Sequence, residues 1–192
     1  MQIEQARVFI LDKLNSELPE HLFYHNALHA VDVYTASKRI AQKEGVAAHE
    51  QLLLLTAALY HDSGFLNGPK DHELKSCEIA RLYLPRFEYL PDDIEQICAI
   101  IMATKLPQNP HGHLQQIICD ADLDYLGRND FFVLSKNLFS ELVITDSLKT
   151  ELDWDKIQVG FFKSHHYFTQ TAIETRGPVK QEHLNEIIKR IS

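Results

Sequence analysis

Residues 52–62 read LLLLTAALYHD. The run is apolar on every side of a helix, lacks Gly and Pro, and falls well short of the roughly 20 residues that cross a bilayer. It predicts a helix over about Glu50 to His61 in the middle of a helical core. The helix closes on His61-Asp62, followed by Ser63-Gly64. An adjacent His and Asp at the end of a buried helix are costly to desolvate unless something charged compensates them, and a divalent cation is the simplest compensator.

Helical spacing recurs on both sides of this run. Val8, Leu11, Leu14 and Leu18 mark a helix over Ile3 to Leu18, and a second runs from about Asn26 to Glu44, closed by Gly45. SGFLNGPKDH, residues 63–72, reads as a loop before a helix from about Glu73 to Leu84 that stops at Pro85. Pro91-Asp92-Asp93 has the Pro and acids of a helix start, for a helix reaching about Thr104. After the loop LPQNPHGH, residues 106–113, helices are predicted over Leu114–Leu126, Asn129–Leu142, Asp153–Glu174 and Val179–Ile191. No strand, repeat or linker interrupts them. The expectation is a single all-α domain over residues 1–192, with a small polar excursion around Thr145–Asp155.

Composition narrows the function classes. The 192 residues hold 19 Lys and Arg against 27 Asp and Glu, a formal net charge of −8, and the basic residues are scattered. A nucleic-acid polymer needs a basic patch, so none is expected as a partner. A small phosphorylated substrate is still compatible, because one bound cation supplies local positive charge. Cys77, Cys98 and Cys119 form no CxxC pair and read as buried free thiols. The start, MQIEQARVFILDKL, is amphipathic and acid-bearing, without the make-up of a signal peptide, and no membrane span is seen. A soluble, cytoplasmic protein is expected.

Two further segments carry chemistry. His25 and His29 are four apart, which on a helix places them on one face. CDADLDYLG, residues 119–127, sets Asp120, Asp122 and Asp124 in one short helix. Asp122 has Ile118, Cys119, Tyr125 and Leu126 at its helical neighbour positions, whereas Asp120 and Asp124 share a side with Gln116, Gly127 and Arg128. A carboxylate on an apolar face is the one expected to be buried, and so Asp122 is the expected metal ligand.

The order His29, His61-Asp62, Asp122 resembles the HD superfamily of metal-dependent phosphohydrolases, and YHNALHAVDV, residues 24–33, is similar to the first metal motif of class I cyclic-nucleotide phosphodiesterases. The resemblance runs from about Tyr24 to Arg128. It implies an HD-type helical fold, with His29, His61, Asp62 and Asp122 as metal ligands and His25 as a proton donor. The chain also departs from individual relatives. SGFLNG follows His61-Asp62 in place of a His- and Gly-containing motif, Phe65 stands where deoxynucleotide monophosphatases carry a Glu, and Thr104-Lys105 stand where two-metal members carry a His pair. These departures favour one ion, with Lys105 facing the phosphate.

A ligand set of oxygen and nitrogen without sulfur suits Mn, Fe, Co, Ni, Zn or Mg and selects none of them. Asp62 is expected both to bind the ion and to take a proton from water. Plainer roles stand beside these: His25 as a cap, Lys105 as a surface lysine, Asp32 as an exposed acid or a group orienting a ligand. His72-Glu73 and His113 read as solvated loop residues near the pocket mouth. His165-His166 read as the interior of a long helix, one side chain in the core and the other at the surface. The expected function is metal-dependent hydrolysis of a phosphoester of a nucleotide or other small phosphorylated metabolite. A cyclic-nucleotide phosphodiesterase and a catalytically silent metal- or nucleotide-binding sensor are the alternatives.

Overall fold

A computed structural model describes residues 1–144 and 150–192. The described residues form α1 (Ile3–Glu17), α2 (Ala27–Lys43), α3 (Ala48–Tyr60), α4 (His72–Tyr83), α5 (Pro91–Met102), α6 (His113–Asp122), α7 (Phe131–Ile144), α8 (Glu151–Ser164) and α9 (Gln170–Ile191), and among them there is no strand. Helix α3 carries eight consecutive buried residues, Leu53 to Tyr60. It can bury all sides because α1, α2, α5 and α6 pack around it. α2, α3 and α6 pack on one another, so the chain stretches bearing His29, His61 and Asp122 converge from three neighbouring elements.

A second, smaller apolar cluster forms where the 3-10 turn Asp124–Gly127 meets α7, α8 and α9, around Tyr125, Leu126, Phe131, Phe162 and Ile187. Gly127 permits this approach: a Cβ there would lie 2.3 Å from the Arg176 carbonyl oxygen, nearer than any side chain tolerates. Tyr24, just before α2, also belongs to this cluster. No described helix is long and apolar enough to cross a membrane.

Three expected boundaries move. The segment after Asp62 is not irregular but a 3-10 turn, Ser63–Asn67, in which Gly64 lies so close to α4 that a Cβ would collide with the His72 carbonyl. The helix expected to reach Leu126 ends at Asp122. The break in the C-terminal helices falls at 165–169 rather than before Val179, and α9 runs straight through Pro178. Its cause is tertiary: the Asp120 carboxylate accepts from the amides of Phe168 and Thr169 at 2.8 and 2.7 Å, while the Thr169 hydroxyl caps α9 at Ala172. Of the excursion expected around Thr145–Asp155, residues 145–149 lie outside the described residues, and Thr150 is the N-cap of α8.

Candidate metal centre

His29 stands in the first turn of α2. The Asn26 side chain caps that helix, accepting from the amides of Leu28 and His29 at 2.9 and 3.4 Å. Its own amide donates back to Leu22 and Phe23, which fixes how the chain enters the helix. His61 follows the last residue of α3. Its Nδ1 lies 2.8 Å from the Ala58 carbonyl, and a carbonyl only accepts, so the proton sits on Nδ1. Nε2 is therefore the nitrogen turned toward the cluster, and the one that would bind a metal in the neutral ring. Asp122 is the last residue of α6.

The donor atoms meet at one point. His29 Nε2 is 3.1 Å from Asp122 Oδ1, 3.3 Å from His61 Nε2 and 3.4 Å from Asp62 Oδ2. His61 Nε2 is 3.3 Å from Asp62 Oδ2 and 3.5 Å from Asp122 Oδ1. Two ligands about 2.1 Å from a common ion stand about 3.0–3.4 Å apart at right-angle or tetrahedral geometry, so the spacings fit a shared cation. The two imidazole nitrogens that face each other at 3.3 Å fit it as well, because one cation could be shared by both neutral rings. Among the described residues, the His29, His61 and Asp122 atoms form a group that could hold an ion, and Asp62 Oδ2 lies beside its two histidines. Burial would raise the Asp122 carboxyl, but bonds to His29 and His61 outweigh it and hold the group down at about 2. Burial likewise would lower His61, and the charges of Asp62 and Asp122 overturn that and raise it.

A family model for the HD domain matches residues 27–124, just over half of the chain and the span that holds all four of these residues. The chain belongs to the HD-domain family. Neither the curated proteins nor the solved structures contain a match to it. HD domains are generally metal-dependent hydrolases, and the donor cluster fits the divalent ion that such chemistry uses.

Around the HD cluster the remaining candidates separate. His25 precedes α2 instead of standing on it, because Asn26 is the cap, yet its ring still comes within 6.1 Å of the His29 ring. It stacks on Phe65 at 4.3 Å, and its Nδ1 meets Glu141 Oε1 at 2.5 Å. Glu141, on α7, also accepts from the amides of Tyr24 and His25 at 3.0 and 3.1 Å. Burial pushes this carboxyl up, but the His25 bond and charge and the two amides more than offset that, leaving it below the usual range. Sequence reasoning missed Glu141, which reads there as one more acid on a helix.

His72-Glu73 are not solvated loop residues: they open α4, and Glu73 is buried. The His72 Nδ1 faces the Pro69 carbonyl, while Nε2 is 3.4 Å from Asp62 Oδ1, the oxygen turned away from the ligand cluster. His113 is half exposed beside Glu44. Lys105 lines the same cavity as Asp62 and bonds Asp71 at 3.2 Å, with both side chains half exposed. Asp32 accepts two bonds from Arg128, at 2.7 and 2.8 Å.

The burial expected of the three aspartates is reversed. Asp120 and Asp124 are more deeply buried than Asp122, each satisfied by its own partners: Asp120 by the start of α9, Asp124 by Arg39 and Arg176. Asp122 is set apart by what it faces, the two histidines and the cavity, and not by the depth of its burial.

Proposed function

We propose that this HD-domain protein hydrolyses a phosphoester bond of a small phosphorylated metabolite, with one divalent ion held by His29, His61, Asp62 and Asp122. The observation that carries the proposal is that Asp62 and Asp122 of that donor cluster share with His25 and Lys105 one cavity of about 430 Å³, a volume suited to a small organic ligand. Mn, Fe, Co, Ni, Zn and Mg are all compatible with the donors. When bound, the ion supplies charge neutralisation at the phosphoryl group and lowers the pKa of water.

The chain's own residues account for the rest. Asp62 turns Oδ2 to the histidines and Oδ1 toward His72, so Oδ1 is the atom that accepts a proton from the attacking water. Glu141 occupies Nδ1 of His25, which leaves Nε2 as the nitrogen that gives a proton to the departing oxygen. Lys105, at the rim, adds positive charge for the phosphate. A nucleotide is one metabolite of this kind. The YHN motif supports a diester, and the segment after His61-Asp62 points away from one.

Purified protein incubated with Mn, Co, Ni or Mg in turn, and assayed against phosphomonoesters and cyclic nucleotides, is expected to release product in at least one combination. His61→Ala is expected to abolish that release. Tight nucleotide binding without turnover in the wild-type protein would instead assign a sensor role.

A further inference from the structure

We infer that the non-phosphate part of the substrate is apolar and poor in hydrogen-bonding groups, an alkyl or aryl ester of phosphate in preference to a nucleotide; the inference rests on the phosphoester reading above. The cavity has two ends of opposite chemistry. Asp62, His25, His72 and Lys105 stand at one. The other is walled by Leu126, Phe131 and Leu138 and by Trp154, Ile157 and Phe161 of α8.

The few polar groups at this second end are already engaged with one another. The Trp154 indole donates to Ser135 Oγ at 3.0 Å, Ser135 donates to Gln158 Oε1 at 2.6 Å, and Gln158 donates to Asp155 at 3.1 Å. Among the described residues that line this end, none is cationic. A nucleobase brings several donors and acceptors on its edge, and burying them without partners is unfavourable. A hydrocarbon loses nothing there and gains by leaving water. The rim points the same way: Leu106 and Ile157 line the cavity while 57% and 50% exposed, apolar surface that an amphiphilic ligand would cover.

Mn-loaded protein titrated calorimetrically with butyl phosphate, octyl phosphate and 5′-AMP, and assayed in parallel for phosphate release, tests this. Each buried methylene is worth roughly fourfold in affinity, so octyl phosphate is expected to bind at least about tenfold more tightly than butyl phosphate. 5′-AMP is expected to bind no better than butyl phosphate. The octyl-to-butyl ratio is expected to collapse toward one in Ile157→Asn and in Leu106→Asn, both at half-exposed positions where folding is not at stake. A wild-type ratio near one, or 5′-AMP binding more tightly than octyl phosphate, would overturn the inference whether or not phosphate is released. An intact ratio with no phosphate released from any compound would uphold the apolar end and sink the hydrolytic reading instead.

Discussion

Glu141 decides what His25 can do. An ionised carboxylate only accepts, so the bond at 2.5 Å fixes the proton on Nδ1 and sets a counter-charge beside the ring. General acid catalysis contributes about 10²–10⁴-fold, so His25→Ala is expected to lose roughly that in kcat on esters with poor leaving groups. It should lose much less on p-nitrophenyl esters, whose leaving group scarcely needs a proton. Glu141→Gln, which keeps the shape and removes the charge, is expected to shift kcat in the same direction by less, with metal content unchanged in both variants. Equal losses on both substrate types would contradict the proton-donor role. At this scale the sequence is legible where a polar residue interrupts an apolar pattern, as His61-Asp62 does. Glu141 is not legible, because its partners are 116 and 117 residues away and nothing local marks it. Asp120 misled for the same reason: the donors that satisfy it arrive from residues 168 and 169.

Helices were readable wherever apolar spacing and a cap or a proline agreed, as at Asn26, Gly45 and Pro91. The break between α8 and α9 was not: helical spacing set it between Glu174 and Val179, and the true stop is held from α6 by Asp120. The break leaves His165 outside a helix, with its ring edge-on to Tyr167 and both ring nitrogens buried without a partner. Burial first, and then the charge of Lys180, push this imidazole down to about 3. The unfolded chain takes up the proton near the ordinary value of about 6.5. The folded state therefore binds fewer protons between those limits, so His165 contributes stability that is full above about pH 6.5 and is lost as pH falls toward 3. Urea unfolding of His165→Phe is expected to show a shallower decline of stability from pH 6.5 to 4.5 than wild type. Parallel curves would contradict neutral burial of this histidine.

At the scale of the whole molecule, the larger core of α1 to α6 presents the donor cluster, while α7 and α8 supply Glu141 and the apolar wall. The family-bearing span could be read from the sequence without the structure. The role of the last third of the chain could not, because a wall of ordinary aromatic and aliphatic residues has no signature until it is folded against the site. The most direct test of the central claim is metal stoichiometry, by elemental analysis of purified wild type, Asp122→Asn and Asp120→Asn after equal exposure to Mn or Co and desalting. A bound ion is also expected to raise the melting temperature by mass action. Wild type and Asp120→Asn are expected to retain about one ion per chain, the latter with lowered thermal stability because it weakens the hold on α9, while Asp122→Asn retains almost none. Retention by Asp122→Asn, or a wild-type protein that holds no ion, would contradict the account.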